Sequence, residues 1–314
     1  MKKHVAVVGG GVSGLASGLK LLEAGFDVTI LARELPPHTT SDVAAAFWYP
    51  DGAGPVERVR RWAAVSHAEF VRLTAVPQSG VSLKPSVDLA HEPFAPPDWL
   101  ALMAAWEPVS YAPNLPGYRT IVPAINTPTY MPYLLEQFTA HGGQLIQRDV
   151  TNLSELTAQF ALVVNCAGVW AGELVGDTAV TPIRGQIIRA SKPAGLPDEI
   201  VHLDAEVYST YIVPRRNDVI LGGSKQRGDW RLAPDPALAE DIWRRCLVLQ
   251  PALQNAEILE HRVGLRPGRP EVRLEVEEVG DGTAVIHNYG HGSIGHTLAW
   301  GCAADVVELA LDCS

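Results

Sequence analysis

Cysteine is scarce in this sequence: four of the 314 residues are cysteines, and no two form a Cys-x-x-Cys pair. The redox pair of the pyridine-nucleotide disulfide reductases, Cys-x-x-x-x-Cys, is also missing, which argues against that class. The spacing gives no redox pair. It is typical of a reducing compartment, and we expect a cytoplasmic location.

Long apolar runs and positive charge are also lacking. No apolar stretch reaches the roughly 20 residues that a membrane-spanning helix needs, so no membrane partner is expected. The 25 Lys and Arg residues against 35 Asp and Glu give a net charge of −10, which repels nucleic-acid phosphates and anionic membranes. With 47% hydrophobic residues, the chain predicts a large core, best divided between two packed domains.

What is present begins with a strand, a turn and a helix. Residues 4–8 are apolar and β-branched, residues 12–24 are helix formers, and residues 27–31 alternate like a second strand. Such a unit requires a right-handed crossover, which makes its two strands parallel. The order predicts the first half of a nucleotide-binding α/β fold.

The turn between this strand and helix fits the Gly-x-Gly-x-x-Gly pattern of dinucleotide sites. Gly9 would make the tight turn, Gly11 would let a pyrophosphate approach the backbone, and Gly14 would let helix and strand pack closely. The diphosphate would lie at the helix N-terminus. Near the end of the second strand, Glu34 has the spacing of a ribose ligand and Arg33 is an alternative contact. This end alone does not distinguish FAD from NAD.

Further along, the composition and the hydrophobic pattern of the sequence change several times. Residues 50–126 are rich in proline and irregular, which suggests inserted substrate-domain material. The hairpin pattern of residues 211–221 predicts antiparallel strands. Helices are predicted at 130–141, 236–249 and 295–311, and strands at 144–150 and 160–165.

Four segments carry a resemblance across nearly the whole chain. They are Thr39–Trp48 (TTSDVAAAFW), Val164–Gly172 (VNCAGVWAG), Val263–Pro270 (VGLRPGRP) and Val285–Thr297 (VIHNYGHGSIGHT). Together they resemble the FAD-dependent D-amino-acid oxidase and D-aspartate oxidase family. The resemblance implies an α/β fold: a discontinuous Rossmann-like FAD-binding domain (1–49, 142–182 and 272–314) and a mixed-sheet α+β substrate domain (50–141 and 183–271).

The resemblance also implies a non-covalent FAD site. Glycines before the last helix would let the backbone lie against the flavin, with the positive end of the helix dipole towards it. His287 and His291 are expected to be structural or to bond the flavin rather than a metal, because no second ligand cluster accompanies them. The residues predicted to bind the cofactor are Gly9, Gly11, Val12, Ser13, Gly14, Arg33, Glu34, Thr39, Thr40, Ser41, Ala45, Ala46, Val150, Ala167, Gly168, Gly292, Ser293, Ile294, Gly295, His296 and Thr297.

For the substrate, the resemblance implies an arginine that holds the α-carboxylate, since a guanidinium gives planar bidentate pairing. Arg266 matches it, and Tyr211 matches the tyrosine that joins it. Tyr208 matches a second family tyrosine, although its spacing differs by one residue. The backbone carbonyl of Ser293 would accept a hydrogen bond from the substrate amine. Arg269 and Arg273 are expected to make structural or surface pairs.

Side-chain selectivity stays open at this point. Phe47 and Tyr49 are candidate pocket walls. Lys225 aligns with a side-chain-binding arginine of D-aspartate oxidases, but Asp204 stands where that branch has its other arginine. We therefore favour neutral D-amino acids, with acidic ones as the alternative.

The expected reaction is a hydride transfer from Cα to flavin N5, which gives an imino acid and then a 2-oxo acid, ammonia and, with dioxygen, hydrogen peroxide. A catalytic acid or base is not required. A flavin dehydrogenase, a sarcosine- or glycine-type oxidase on the same scaffold, and a non-catalytic dinucleotide-binding protein are the competing interpretations. A homodimer is a further expectation.

Overall fold

The computed structural model describes residues 3–90, 95–111, 115–279 and 283–313. In chain order, the strands are β1 His4–Val8, β2 Asp27–Ala32, β3 Val81–Leu89, β4 Trp106–Tyr111, β5 Leu115–Ile125, β6 Gln144–Gln147, β7 Leu162–Asn165, β8 Thr181–Ser191, β9 Ile200–Asp204, β10 Tyr208–Pro214, β11 Asp218–Ser224, β12 Gln226–Arg227, β13 Ile258–Gly268, β14 Arg273–Val279 and β15 Thr283–Tyr289. The helices are α1 Val12–Glu23, α2 Thr40–Val43, α3 Val56–Leu73, α4 Thr127–Ala140, α5 Ser154–Thr157, α6 Ala171–Val175, α7 Pro236–Leu249 and α8 Gly295–Asp312.

One sheet has the order β14-β15-β7-β1-β2-β6. Its strands pair in parallel apart from β14, which runs antiparallel to β15. Burial on both faces explains why β1 and β7 are almost wholly apolar. The predicted strand, glycine turn, helix and parallel strand at the start of the chain are confirmed.

The other sheet has the order β12-β8-β11-β10-β9-β3-β5-β4, with β13 on the far edge of β8. It is mixed, because β3 pairs in parallel with β9 while its other ladder, to β5, is antiparallel. The predicted hairpin is β10 and β11, paired antiparallel. The α/β class with a second mixed sheet is thus confirmed.

Three of the helices lie close to their predicted positions. The predicted α7 matches its observed bounds, with Asp235 capping it by accepting hydrogen bonds from the amides of Ala237 and Leu238. The helices predicted at 130–141 and 295–311 correspond to α4 and α8. In the described residues, no helix combines the length and apolar character needed to cross a bilayer.

Two helices from the predicted substrate domain pack with those of the first sheet. On α3, the indole of Trp62 donates to Asp305 of α8 at 2.7 Å, and a methyl at Gly301 would lie 2.2 Å from the carbonyl oxygen of Trp62. On α4, Phe138 packs against Gly18 of α1. These contacts join residues on either side of the predicted domain limits, and that division stays a prediction.

Candidate functional site

A large cavity lies where the carboxyl ends of β1, β2 and β7 meet the strands β8, β10 and β13 of the other sheet. This is the edge at which open parallel sheets bind nucleotides. The structure brings many separated predicted residues together here. Those that line the cavity are Gly9, Gly11, Val12, Ser13, Arg33, Glu34, Thr39, Thr40, Ser41, Val150, Tyr211, Ala167, Gly168, Arg266, Gly292, Ser293, Gly295 and His296.

The glycine turn has the geometry that its sequence predicts. Gly9 has φ +117°, and a methyl there would lie 2.3 Å from the carbonyl oxygen of Cys166, which directly follows β7. A methyl at Gly14 would lie 1.9 Å from the carbonyl oxygen of Gly9. Gly14 is not among the cavity-lining residues, so its contact is the close packing of helix on turn. The start of α1 therefore presents bare backbone to the cavity.

At the far end of β2, the guanidinium of Arg33 lies 4.3 Å from the ring centre of Trp170. Both residues line the cavity, together with Glu34. Arg33 and Glu34 are exposed, so this end of the cavity opens to solvent. The stacked guanidinium and indole give this end of the cavity a flat, positively charged surface.

The segment around α2 forms a second wall. Thr39 and Asp42 make a reciprocal capping box, with the Thr39 hydroxyl donating to Asp42 at 2.6 Å. The Ser41 hydroxyl accepts from the Val12 amide at 3.0 Å, which fixes this wall to the first turn of α1. Ala45 and Ala46 follow as buried residues behind the wall, outside the cavity lining.

His296 closes this wall from the start of α8. Its Nε2 donates to the carbonyl oxygen of Ser41 at 3.0 Å, since a carbonyl only accepts. Burial lowers the pKa of His296, so the ring is neutral and Nδ1 is an acceptor. That buried Nδ1 has no partner among the described residues. An orphaned acceptor beside a glycine-rich cradle fits a cofactor with hydroxyl and imide N–H donors, as FAD has.

The turn before α8 depends on glycines with left-handed backbone conformations. Gly290 and Gly292 adopt positive φ values of +86° and +56°, and the Gly292 amide donates to Pro267 at 2.9 Å. Ile294 and Thr297 lie outside the cavity lining. The Thr297 hydroxyl instead accepts from the Tyr49 amide at 3.2 Å.

The two neighbouring histidines have structural partners. His291 donates from Nε2 to the side-chain oxygen of Asn288 at 3.1 Å, and burial lowers its pKa to about 4. His287 bonds Glu277 at 2.9 Å. Across the residues with described positions, no group of three or more His, Cys, Asp or Glu side chains could hold a metal ion.

Arg266 and Tyr211 meet at the other end of the cavity. Arg266 Nη1 donates to the carbonyl oxygen of Ser224 at 2.9 Å, and the guanidinium bonds the Tyr211 hydroxyl. Burial raises the pKa of Tyr211, and the adjacent guanidinium opposes that rise. Within the described part of the chain, no carboxylate pairs with Arg266. Its five N–H donors exceed these two neutral acceptors, so the half-buried cation has donors left for a carboxylate.

Glycines make room for this pair. A methyl at Gly185 would lie 2.3 Å from Arg266 Nη1, and one at Gly222 would lie 1.9 Å from Tyr211 Cζ. The sequence around neither glycine indicates this role, because each glycine is required by a side chain that lies on another strand. Gly185, Ile187, Arg148 and Trp170 line the cavity without having been predicted to.

Other predicted pocket residues lie elsewhere. The Tyr208 ring stacks on Arg245 of α7, with the guanidinium 4.5 Å from its centre. Phe47 and Tyr49 pack in an aromatic cluster behind the cavity. Lys225 pairs with Asp204 and donates to the Ala205 carbonyl oxygen at 2.9 Å.

The remaining predicted arginines also have partners. Arg269 pairs with Asp177 at 3.0 Å. Arg273 bonds Glu275, Glu277 and the hydroxyl of Tyr289. Both lie outside the cavity lining, in keeping with the structural roles expected for them.

Comparison with known proteins agrees with this geometry. A family model described as FAD dependent oxidoreductase matches residues 4–309. A D-amino-acid oxidase of Rubrobacter xylanophilus is 47% identical over 312 residues, covering 98% of this chain and 95% of that protein. Human D-aspartate oxidase is 33% identical over 336 residues, covering 99% and 95%.

Among solved structures, glycine oxidase from Geobacillus kaustophilus superposes with a TM-score of 0.82 over 99% of this chain and 95% of that one. At 18% identity this likeness shows the fold alone. The family match and the two relatives span almost the whole sequence. The chain therefore belongs to the FAD-dependent oxidoreductase family, and its cofactor is FAD.

Proposed function

We propose that this protein catalyses the oxidative deamination of D-amino acids with neutral side chains, using non-covalently held FAD and dioxygen. The observation that carries the proposal is Arg266: a half-buried cation at one end of the cofactor cavity, beside Tyr211 and without a carboxylate partner among the described residues. Such a cation is ready for an anionic ligand. The names of the two curated relatives supply the amino-acid substrate and its handedness.

The chain's own residues bind and orient the substrate. Arg266 would pair with the α-carboxylate, and Tyr211 would donate its hydroxyl proton to the same group. The burial that raises the pKa of Tyr211 keeps that phenol protonated and able to donate. The Ser293 carbonyl would accept a hydrogen bond from the neutral amine. The carboxylate and the amine would then be held at two points, which limits how the substrate can turn in the cavity.

Bound FAD would supply the redox chemistry: it would be the acceptor for the hydride from Cα, with dioxygen as the final electron acceptor and hydrogen peroxide as the product. The imino acid leaves the site and is hydrolysed by water to a 2-oxo acid and ammonia. No side chain must move a proton during the hydride transfer, since the amine is already neutral. The neutral His291 and His296 fit this, because neither is a proton donor at neutral pH.

The preference for neutral side chains is supported by Lys225. This residue was the candidate for binding a second carboxylate, but its ammonium pairs with Asp204. An acidic side chain would have to displace Asp204 to use it. The free state of all four cysteines fits the reducing compartment that we propose. The homodimer stays a prediction.

An anaerobic flavin-reduction screen tests the proposal. It should include D- and L-alanine, D-aspartate, D-glutamate, glycine and sarcosine. Bleaching of the yellow protein by D-alanine, and not by L-alanine, is the expected result. No bleaching by any D-amino acid would reject the function, and bleaching by sarcosine alone would place the chain with the N-alkyl amine oxidases.

Arg266→Ala should lower kcat/KM for D-alanine at least 100-fold, or about 3 kcal/mol, because the bound carboxylate loses its charged partner. The variant should keep its flavin. Arg269→Ala is the matched control, since this neighbouring arginine pairs with Asp177 outside the cavity. Unchanged turnover in Arg266→Ala would remove this residue from the site.

A further inference from the structure

A row of paired residues runs across the second sheet from Tyr211, in the direction away from Arg266. The strand registers pair Tyr211 with His202, His202 with Asp88, and Asp88 with Tyr118. Directly paired residues project from the same face of a sheet. His202 and Asp88 therefore lie on the face that carries Tyr211, one and two strands further along.

The same row reaches the cavity at its other end. Tyr211 pairs with Gly222, and Gly222 with Ile187. Both Tyr211 and Ile187 line the cavity. Beyond the Arg266–Tyr211 pair that would hold the α-carboxylate, here called the carboxylate clamp, the next positions on this face are His202 and Asp88, which lie behind the cavity lining.

His202 and Asp88 form a buried polar pair, and each is 5% exposed. His202 Nδ1 lies 2.7 Å from Asp88 Oδ1, and Nε2 lies 3.0 Å from the Ser209 hydroxyl. The Ser86 hydroxyl donates to Asp88 at 3.3 Å. Among the described residues, no lysine or arginine pairs with Asp88.

The imidazole lies between the clamp and the aromatic cluster. Its ring centre is 6.5 Å from that of Tyr211, 5.4 Å from Phe47 and 4.7 Å from Tyr49. Tyr49 is in turn tied to α8 through the Thr297 hydroxyl. This side of the site therefore combines apolar rings with a buried carboxylate, and the nearby cation Lys225 is already paired with Asp204.

We infer that the Asp88–His202 pair determines side-chain specificity: it tolerates neutral side chains and disfavours a second carboxylate. The inference rests on the proposed function and names the selection made at the same site. Asp88 acts as a positioning residue through His202 and through its charge. A carboxylate brought near a buried carboxylate meets like-charge repulsion at low dielectric, which raises the cost of binding.

The test compares kcat/KM for D-aspartate with kcat/KM for D-alanine. Asp88→Asn keeps the side-chain shape and removes the charge, so the ratio should rise at least tenfold. Asp88→Glu restores the charge and should restore the wild-type ratio. Asp218→Asn is the control, because this buried carboxylate pairs with Arg215 and Arg189 outside the row. An unchanged ratio in Asp88→Asn would overturn the inference.

A binding measurement on the wild-type holoprotein needs neither turnover nor a variant. Butyrate and succinate differ by a second carboxylate, and each is titrated while the flavin absorption spectrum is recorded. Succinate should bind at least tenfold more weakly than butyrate. Equal or tighter binding of succinate would refute the inference even if D-alanine reduces the flavin, whereas a lack of reduction by every D-amino acid would reject the proposed function alone.

Discussion

Gly185 is the position at which one methyl group should disable substrate binding without removing a charge. Gly185 lies on β8, and a Cβ there would lie 2.3 Å from Nη1 and 2.4 Å from Cζ of Arg266. Ordinary contact begins near 3.4 Å, so Gly185→Ala must move the guanidinium by about 1 Å. A displacement of about 1 Å in a positioned group costs on the order of 100-fold in rate. We therefore expect kcat/KM for D-alanine to fall about 100-fold.

Gly264→Ala is the matched control. Gly264 lies directly across the β8–β13 ladder from Gly185, and its added methyl would lie 3.4 Å from Thr40 and Val43, at ordinary contact distance. Both variants are assayed for D-alanine turnover, for butyrate binding by the change in flavin absorption, and for FAD affinity by ultrafiltration. Gly185→Ala should lose butyrate binding and keep FAD affinity within threefold, and Gly264→Ala should retain both. Wild-type butyrate affinity in Gly185→Ala, or equal losses in the two variants, would refute the reasoning.

Three further predictions concern the cofactor and stability. In Gly14→Ala, the added methyl would lie 1.9 Å from the Gly9 carbonyl oxygen and should push α1 away from the turn. The free energy of unfolding should fall by about 1–3 kcal/mol in urea denaturation. FAD affinity should fall at least tenfold, measured by flavin release. Arg33→Ala should weaken FAD binding less than tenfold, because its contact with Trp170 is at the exposed end of the cavity; a larger loss would mean that Arg33 has a buried role. Burial holds the pKa of His291 at about 4, below the ordinary 6.5, so its contribution to stability is complete above pH 6.5 and is lost as pH falls towards 4. Urea denaturation should show that the free energy of unfolding falls by about 2 kcal/mol between pH 7 and pH 5 through this residue. In His291→Gln that fall should be smaller. The same pH dependence in the variant and the wild type would contradict this role for His291.

The parts of the site that the sequence predicted are those with a local signal. The glycine turn with Gly9 and Gly14 was readable because a strand, a turn and a helix follow one another within the same short segment. Arg266 and the turn before α8 were identified from the family resemblance of short contiguous segments. In each case, the residues that give the signal are neighbours in the chain.

The side chains that departed from expectation depend on pairing between strands. Tyr208 and Tyr211 lie on one strand, but the ladder with β11 shifts register between them, and such an irregularity changes where a side chain points. Lys225 pairs with Asp204 only because β9, β10 and β11 are adjacent. The Asp88–His202 pair depends on a parallel ladder between β3 and β9, which no local pattern predicts.

The long ladder between β8 and β13 carries the contacts to the cofactor cavity and the carboxylate-binding arginine, and the residues inferred to select the side chain lie on other strands. Gly264 touches the α2 wall of the cofactor cavity, and Arg266 follows two residues later on the same strand, so the cofactor and the carboxylate clamp keep a fixed separation. Side-chain selection is placed on β9 and β3 instead. Substitutions on those two strands would change which side chains are accepted, while β13 keeps the separation between the cofactor cavity and Arg266 fixed.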